Sequence, residues 1–192
     1  AGLLGGGVAA SQSQTFLAWT RATDFGTPDA VFGLDASFYV FQLPWWRFVL
    51  SYVSFMVVVC LIGALLVHFL TGAMNSKAFR KSGNLKGAGK AAQRQVSVLL
   101  GVTLLLYGIA SFLDRYGYLT TQNNLFTGVN YTDATSRIPA SLIVAAIAGI
   151  CALLCFYNAW RVRWSVPGIA VGLLVISAMI LTAVYPWAVR SF

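Results

Sequence analysis

Glutamate is absent from this 192-residue chain, and negative charge comes from five aspartates alone. Charged residues make up only 9% of the sequence and hydrophobic residues 58%, whereas about a quarter of an ordinary soluble domain is charged. This scarcity of charge excludes a typical soluble or disordered protein and predicts one that resides in a lipid bilayer. One histidine and three cysteines, none in a C-x-x-C pair, leave no pattern for a metal site or catalytic triad.

Positive charge is concentrated in two connections between apolar stretches. Short basic loops resist translocation, so residues 73–95 and 161–165 are predicted to be cytoplasmic. Their basic side chains are expected to face anionic lipid headgroups, and no nucleic-acid partner is expected. The eight residues concerned are Lys77, Arg80, Lys81, Lys86, Lys90, Arg94, Arg161 and Arg163.

Four apolar stretches are long enough to cross a bilayer, which needs roughly 20 helical residues. The sequence therefore predicts an all-α, polytopic membrane bundle with spanning helices at about 48–72, 96–113, 139–160 and 166–189. Residues 1–47 are predicted to form an extracytoplasmic or interfacial segment, and residues 48–192 the four-helix transmembrane domain. With both basic connections inside, both ends of the chain are expected outside.

The first 47 residues are the least regular stretch of the sequence. The Gly-rich residues Ala1 to Ala10 fit either the last turns of a preceding spanning helix or a re-entrant or loosely ordered surface strand. A short amphipathic stretch from Gln14 to Trp19 is expected to lie along the membrane interface. The punctuated run DFGTPDAVFGLD predicts a series of turns.

The aspartates outside the spanning stretches have two interpretations. Asp24, Asp29, Asp35 and Asp133 offer oxygen ligands that a divalent cation would accept. Their spacing matches no calcium loop, and the neighbouring Gly and Pro residues favour turn and capping roles instead.

The order and spacing of several motifs resemble a known family. DFGTPDAVFGLDASFYVFQLPWWRF is followed by FLDRYGYL, FTGVNYTD and VYPWAVRSF, which is similar to uncharacterised protein family 0182, a family of large bacterial integral membrane proteins. The resemblance covers essentially the whole chain. It implies a bacterial cell membrane, about seven N-terminal spanning helices and a large external domain after them. The chain would then match the last four helices, the C-terminal portion of the transmembrane region.

His68, the only histidine, is the one candidate cofactor ligand, for a haem or chlorophyll metal. The favoured alternative is a helix-to-helix hydrogen bond or a place at the headgroup boundary. Cys60, Cys151 and Cys155 lie inside spanning stretches, and we interpret them as small packing residues. No cofactor is therefore expected.

Asp114 and Arg115 end the second spanning stretch. An ionisable residue at a membrane edge is a functional hypothesis by default, and transport chemistry at Asp114 is one interpretation. The favoured interpretation is an interfacial ion pair between Asp114 and Arg115, because both groups can reach water.

Small residues recur at helical spacing and predict close helix packing. Packing inside this bundle is favoured over contact with a partner subunit. The residues that carry this prediction are Gly101, Gly108, Ala145, Gly149, Gly168 and Gly172, with Ser97, Ser111, Ala148 and Ala152 beside them.

These observations favour a non-enzymatic membrane anchor or docking subunit of a larger envelope protein, which packs against partner membrane proteins. The alternative is a transporter or lipid-handling channel component. A pigment-binding or haem-binding accessory subunit is the third hypothesis, and it depends on His68.

Overall fold

The computed structural model describes residues 6–7, 10–70, 88–120, 137–161 and 165–181. About 88% of these residues are helical, and none of them lies in a strand. The helices are α1 (Ser13–Thr20), α2 (Leu43–Leu70), α3 (Ala88–Gly117), α4 (Ile138–Arg161) and α5 (Ser165–Met179). A π-helical segment, Phe38–Gln42, precedes α2, and a 3₁₀ turn, Tyr118–Thr120, follows α3. The all-α prediction is confirmed.

Among the residues that the structure describes, three helical segments are long and apolar enough to span a membrane: 38–70, 89–120 and 138–161. The predicted fourth span, 166–189, begins as the apolar helix α5, but residues after 181 lie outside the described stretches of the chain. A count of four spanning helices is therefore not confirmed.

The helix ends differ from those predicted. The first span was expected from residue 48, but α2 begins at Leu43. The second was expected at 96–113, but α3 runs from Ala88 to Gly117. Apolar length marks only the portion of a helix that suits the hydrocarbon of a bilayer. The α3 helix continues beyond that portion through polar residues such as Lys90 and Arg94.

The helices form an up-and-down arrangement in which α3 packs between α2 and α4, and α5 packs on α4. The buried cluster joins the middle of α3, α4 and α5. Cys151 and Cys155 are fully buried within it, so the packing interpretation of these two thiols is confirmed, whereas Cys60 is exposed. The cluster consists of Leu104, Ala148, Cys151, Ala152, Cys155, Ala170 and Leu174.

Small residues bring α3 and α4 close together. A Cβ atom at Gly108 would lie 3.1 Å from the Ala145 carbonyl oxygen and 3.2 Å from Ala148 Cβ. A Cβ atom at Gly101 would lie 2.9 Å from the Phe156 ring. The missing side chain at Gly108 therefore leaves room for the backbone of α4, and the missing side chain at Gly101 leaves room for the Phe156 ring.

The glycines of α5 do not take part in this packing. Gly168 and Gly172 face open space, with no atom within 4 Å of an added Cβ, and the same holds for Gly149 on α4. The face of α5 that meets the core carries Ala170 and Leu174 instead. The described helices place no neighbour against Gly168 and Gly172, so the packing role of these two glycines stays a prediction.

The N-terminal segment docks on the start of α2 through aromatic rings. The helix predicted near 14–19 forms as α1. The Trp45 ring lies 5.2 Å from that of Phe16 and 5.5 Å from that of Trp19, between ring centroids. Gly26 and Gly33, with φ of 69° and 68°, turn the chain between α1 and α2 in a left-handed conformation that glycine adopts without Cβ strain.

Candidate functional site: polar groups at the two ends of the bundle

Polar side chains collect at the two ends of the helices. The end that holds Arg47, Asp114 and Arg137 is here named the Asp114 end. The end that holds His68, Arg94 and Arg161 is named the Arg161 end. The topology predicted from charge makes the Asp114 end external and the Arg161 end cytoplasmic.

At the Asp114 end, a cavity of about 230 Å³ opens between α3, α4 and the end of α5. Its walls combine a carboxylate, a guanidinium and several hydroxyl groups with an apolar floor. The lining residues are Tyr107, Ala110, Ser111, Asp114, Tyr118, Arg137, Ala140, Ser141, Val144 and Leu181. We name this the Asp114 cavity.

Asp114 pairs with Arg47 across the bundle. The Arg47 Nη2 group donates to Asp114 Oδ1 at 2.9 Å, joining α2 to α3. The expected partner was Arg115, but consecutive residues on a helix point in different directions and do not face each other. The ion pair predicted for Asp114 therefore exists with a different partner.

Arg115 is held by aromatic rings instead. Its guanidinium carbon lies 4.4 Å from the Phe112 ring centroid, 4.5 Å from that of Tyr116 and 5.1 Å from that of Phe32. Its Nη2 group also donates to the Tyr116 hydroxyl. Because Phe32 belongs to the N-terminal segment, these cation–π contacts fasten that segment to the end of α3.

Asp35 organises the turn region before α2. Its Oδ1 atom accepts N–H groups of Ser37, at 2.8 Å, and Phe25, at 3.0 Å, while Oδ2 accepts that of Thr27 at 3.1 Å. These bonds, the one from Ser37 foremost, lower the pKa of Asp35 to about 2.

Asp29 has a similar role earlier in the same turn region. Its carboxylate accepts the N–H groups of Val31, Phe32 and Leu34 and the Tyr39 hydroxyl. Burial raises the pKa of Asp29, but these hydrogen bonds outweigh it and leave the pKa below its ordinary value. The turn and capping interpretation is confirmed for Asp29 and Asp35. Asp133 lies outside the described residues.

At the Arg161 end, α3 and α4 share a buried hydrogen bond. The Asn158 Nδ2 group donates to Ser97 Oγ at 3.0 Å, and both residues are fully buried. Gln93, one turn before Ser97, is 3% exposed, and its side-chain amide nitrogen, Nε2, has no hydrogen-bond partner among the described residues. The sequence analysis missed this buried polar layer, although an asparagine in an apolar helix is a signal for it.

Two further contacts tie the helices together at the Arg161 end. The Arg94 Nε group donates to the Ala159 carbonyl oxygen at 3.1 Å, which places a cation beside the C-terminal carbonyls of α4. A hydrogen bond of 3.1 Å joins His68 Nε2 to Gln95 Oε1, between α2 and α3. The favoured interpretation of His68, a bond between helices, is confirmed.

Of the predicted headgroup-facing residues, Lys90, Arg94 and Arg161 are exposed at this end. The other five, Lys77, Arg80, Lys81, Lys86 and Arg163, lie outside the described ranges. Within those ranges, no group of three His, Cys, Asp or Glu side chains is placed to hold a metal ion. Between the two polar ends, the buried cluster of the described bundle is apolar apart from its two thiols.

The fold and its polar ends define an all-helical protein with helices suited to a membrane. The chain belongs to the Uncharacterised protein family (UPF0182), whose family model matches residues 1–192. It is 40% identical over 196 residues to a UPF0182 protein of Streptomyces coelicolor and 38% identical over 191 residues to one of a Nocardioides species. No solved structure matches the chain.

Each of these two relatives aligns with the whole chain, but the chain covers only 19% of the first and 18% of the second. The chain thus spans about a fifth of the length of the curated relatives that it matches. The match falls in the N-terminal region of these longer proteins, so it does not represent their C-terminal region. Its place among the spanning helices of that N-terminal region stays a prediction.

Proposed function

We propose that this segment is a non-enzymatic anchoring and docking region of a larger membrane protein, and that further membrane helices pack on it. The observation that carries the proposal is the open Gly168-x-x-x-Gly172 face of α5. Lipid chains adapt to any apolar surface and need no small residues. Two glycines one turn apart instead let a second helix backbone approach closely.

The arrangement of α5 supports this assignment. Ala170 and Leu174 already pack on the core, so the glycine face points away from the described helices. The length of the relatives supplies a source of partners, because about four fifths of each lies outside the matched segment. In the most apolar stretch of the segment 38–70, only 6% of the residues are buried, so this helix also has surface available for neighbouring helices.

The apolar interior favours an anchor over a conduit. A transport path needs polar groups or water along the membrane normal. In the described bundle, Leu104, Ala148 and Leu174 separate the Asp114 end from the Arg161 end. His68 and Gln95 already bond each other, so no described contact favours the pigment hypothesis.

Photo-crosslinking in native membranes tests the docking face. A photoactivatable amino acid in place of Gly172 is expected to crosslink to protein, with the partner peptide identified by mass spectrometry. The same residue in place of Leu173, which is 51% exposed on another side of α5, is the matched control and should crosslink to lipid. Lipid adducts at both positions would contradict the proposal.

We further propose that the segment lies in a bacterial cell membrane with residues 73–95 and 161–165 in the cytoplasm and both ends outside. The sidedness of the basic residues supports this orientation. In intact cells, an impermeant thiol reagent should label an Asn124→Cys variant and leave a Lys86→Cys variant unlabelled. The opposite labelling pattern would reverse the orientation.

A further inference from the structure

We propose that the Asp114 cavity binds the headgroup of a zwitterionic aminophospholipid, with the lipid amine at Asp114 and the lipid phosphate at Arg137. The cavity has a volume of about 230 Å³, and both charged residues line it. Asp114 and Arg137, both described by the structure, line it together but form no ion pair with each other. A ligand that carries both charges can bridge them.

The hydrogen-bonding capacity at Asp114 fits an ammonium group. Arg47 donates to Oδ1 only, and Oδ2 has no partner among the residues that the structure describes. A carboxylate accepts several hydrogen bonds, so Asp114 can keep Arg47 and still accept from an amine.

The opposite wall fits a phosphate. Arg137 stands at the start of α4, and a guanidinium carries five N–H donors in a fork that matches phosphate oxygens. It can therefore hold its other contacts and also donate to a ligand. Ser111, which is 7% exposed and lies one turn before Asp114 on α3, adds a hydroxyl group to the lining of the cavity.

The floor of the cavity points to a lipid as the source of the zwitterion. Ala140 and Val144, each 2% exposed, line it together with Leu181, which follows the end of α5. An apolar floor beneath a charged rim matches the junction of headgroup and acyl chain. The cavity lies at the end of helices long enough to span a bilayer, which is the depth of phospholipid headgroups.

Native mass spectrometry of the purified protein in mild detergent tests the proposal. Phosphatidylethanolamine, phosphatidylcholine and phosphatidylglycerol with identical acyl chains are titrated separately. Phosphatidylethanolamine is expected to bind about fivefold more tightly than the other two, the equivalent of one hydrogen bond to the amine. The other two lipids should bind more weakly because the choline headgroup has no N–H donor and the glycerol headgroup has no positive charge. Equal binding of all three lipids would overturn the proposal.

Three variants assign the contacts. The Asp114→Asn variant should lose the preference for phosphatidylethanolamine. The Arg137→Gln variant should bind all three lipids more weakly. Arg47→Gln breaks the same salt bridge as Asp114→Asn but leaves the carboxylate in place, so the preference should persist. Loss of the preference in Arg47→Gln, or its survival in Asp114→Asn, would overturn the assignment.

Free phosphoethanolamine distinguishes a lipid from a soluble ligand. It carries the same two charges but has no acyl chains to contact the apolar residues of the cavity. It should therefore not displace the bound lipid at equal concentration. Displacement would assign the cavity to a soluble zwitterion and overturn the lipid assignment. The docking face on α5 is not involved, so this result is independent of the crosslinking at Gly172.

Discussion

Arg47 near the start of α2 and Asp114 near the end of α3 form a salt bridge of 2.9 Å, and their side chains are 40% and 58% exposed. The bridge spans 67 positions of sequence and fixes one end of α2 against α3. A Cβ atom at Gly117 would collide with the Arg47 guanidinium, so this glycine makes room for the bridge.

Breaking this bridge should cost little. Because both side chains are partly exposed, Arg47→Gln is expected to lower the free energy of unfolding by about 0–1 kcal/mol, and less at high salt. Thermal unfolding in detergent at two salt concentrations measures the effect. Arg21→Gln, which removes an exposed charge outside the bundle, is the control and should leave stability unchanged. A loss that does not depend on salt would contradict the electrostatic explanation.

Gly108 should tolerate no larger side chain. Gly108→Leu places new atoms against the Ala145 carbonyl and Ala148, so overpacking should destabilise the protein by about 1–3 kcal/mol. The matched control is Gly149→Leu, because an added Cβ there meets nothing within 4 Å. The difference in melting temperature between the two variants is the measurement. Equal melting temperatures would refute the close approach of α3 and α4 at Gly108.

Ser97 and Asn158 should be energetically coupled. Hydrogen bonds between helices in membrane proteins contribute on average about 0.6 kcal/mol and at most roughly 1.7 kcal/mol. A double-mutant cycle with Ser97→Ala and Asn158→Ala is expected to give a coupling energy in this range. Strict additivity of the two single changes would show that the 3.0 Å contact contributes nothing.

The turn region before α2 should loosen in acid. Asp35 has a folded-state pKa of about 2, below its ordinary value of 3.8, so its carboxylate form stabilises the turn. That stabilisation is complete above pH 3.8 and is lost as the pH falls through about 2. Hydrogen exchange at the Phe25, Thr27 and Ser37 amides is expected to accelerate relative to the intrinsic rate across this window.

An Asp35→Asn variant provides the control for the acid effect. It should show fast exchange at these amides already at neutral pH and no further change through the acid window. Asp24→Asn removes only a long, 3.4 Å contact with the Ser37 hydroxyl and should behave as the unmodified protein. If Asp35→Asn kept the acid response, another group would be responsible.

The sequence predicted what depends on local composition. Apolar length located α2, α3 and α4, and α4 was predicted to within one residue at each end. The turn roles of Asp29 and Asp35 followed from neighbouring glycine and proline. These features are set by residues close together in the chain, so a single sequence contains the information.

Contacts between distant residues were harder to predict. The partner of Asp114 lies on another helix, and nothing in the pattern distinguishes Arg47 from Arg115. The glycines show the same limit. Gly108 and Gly172 both occur at small-residue spacing, yet one meets Ala145 and Ala148 and the other faces open space. Helix rotation decides between these outcomes, and spacing alone does not determine it.

The length of α3 has a consequence for the proposed place of this segment in a bilayer. Thirty residues make a rod of about 45 Å, whereas the hydrocarbon layer is about 30 Å thick. In such a bilayer, either several turns of α3 project beyond the acyl chains or the helix is tilted from the bilayer normal. Membranes that differ by a few ångströms in thickness can be matched by moving the boundary along these projecting turns, without any change in how α3 packs on α4.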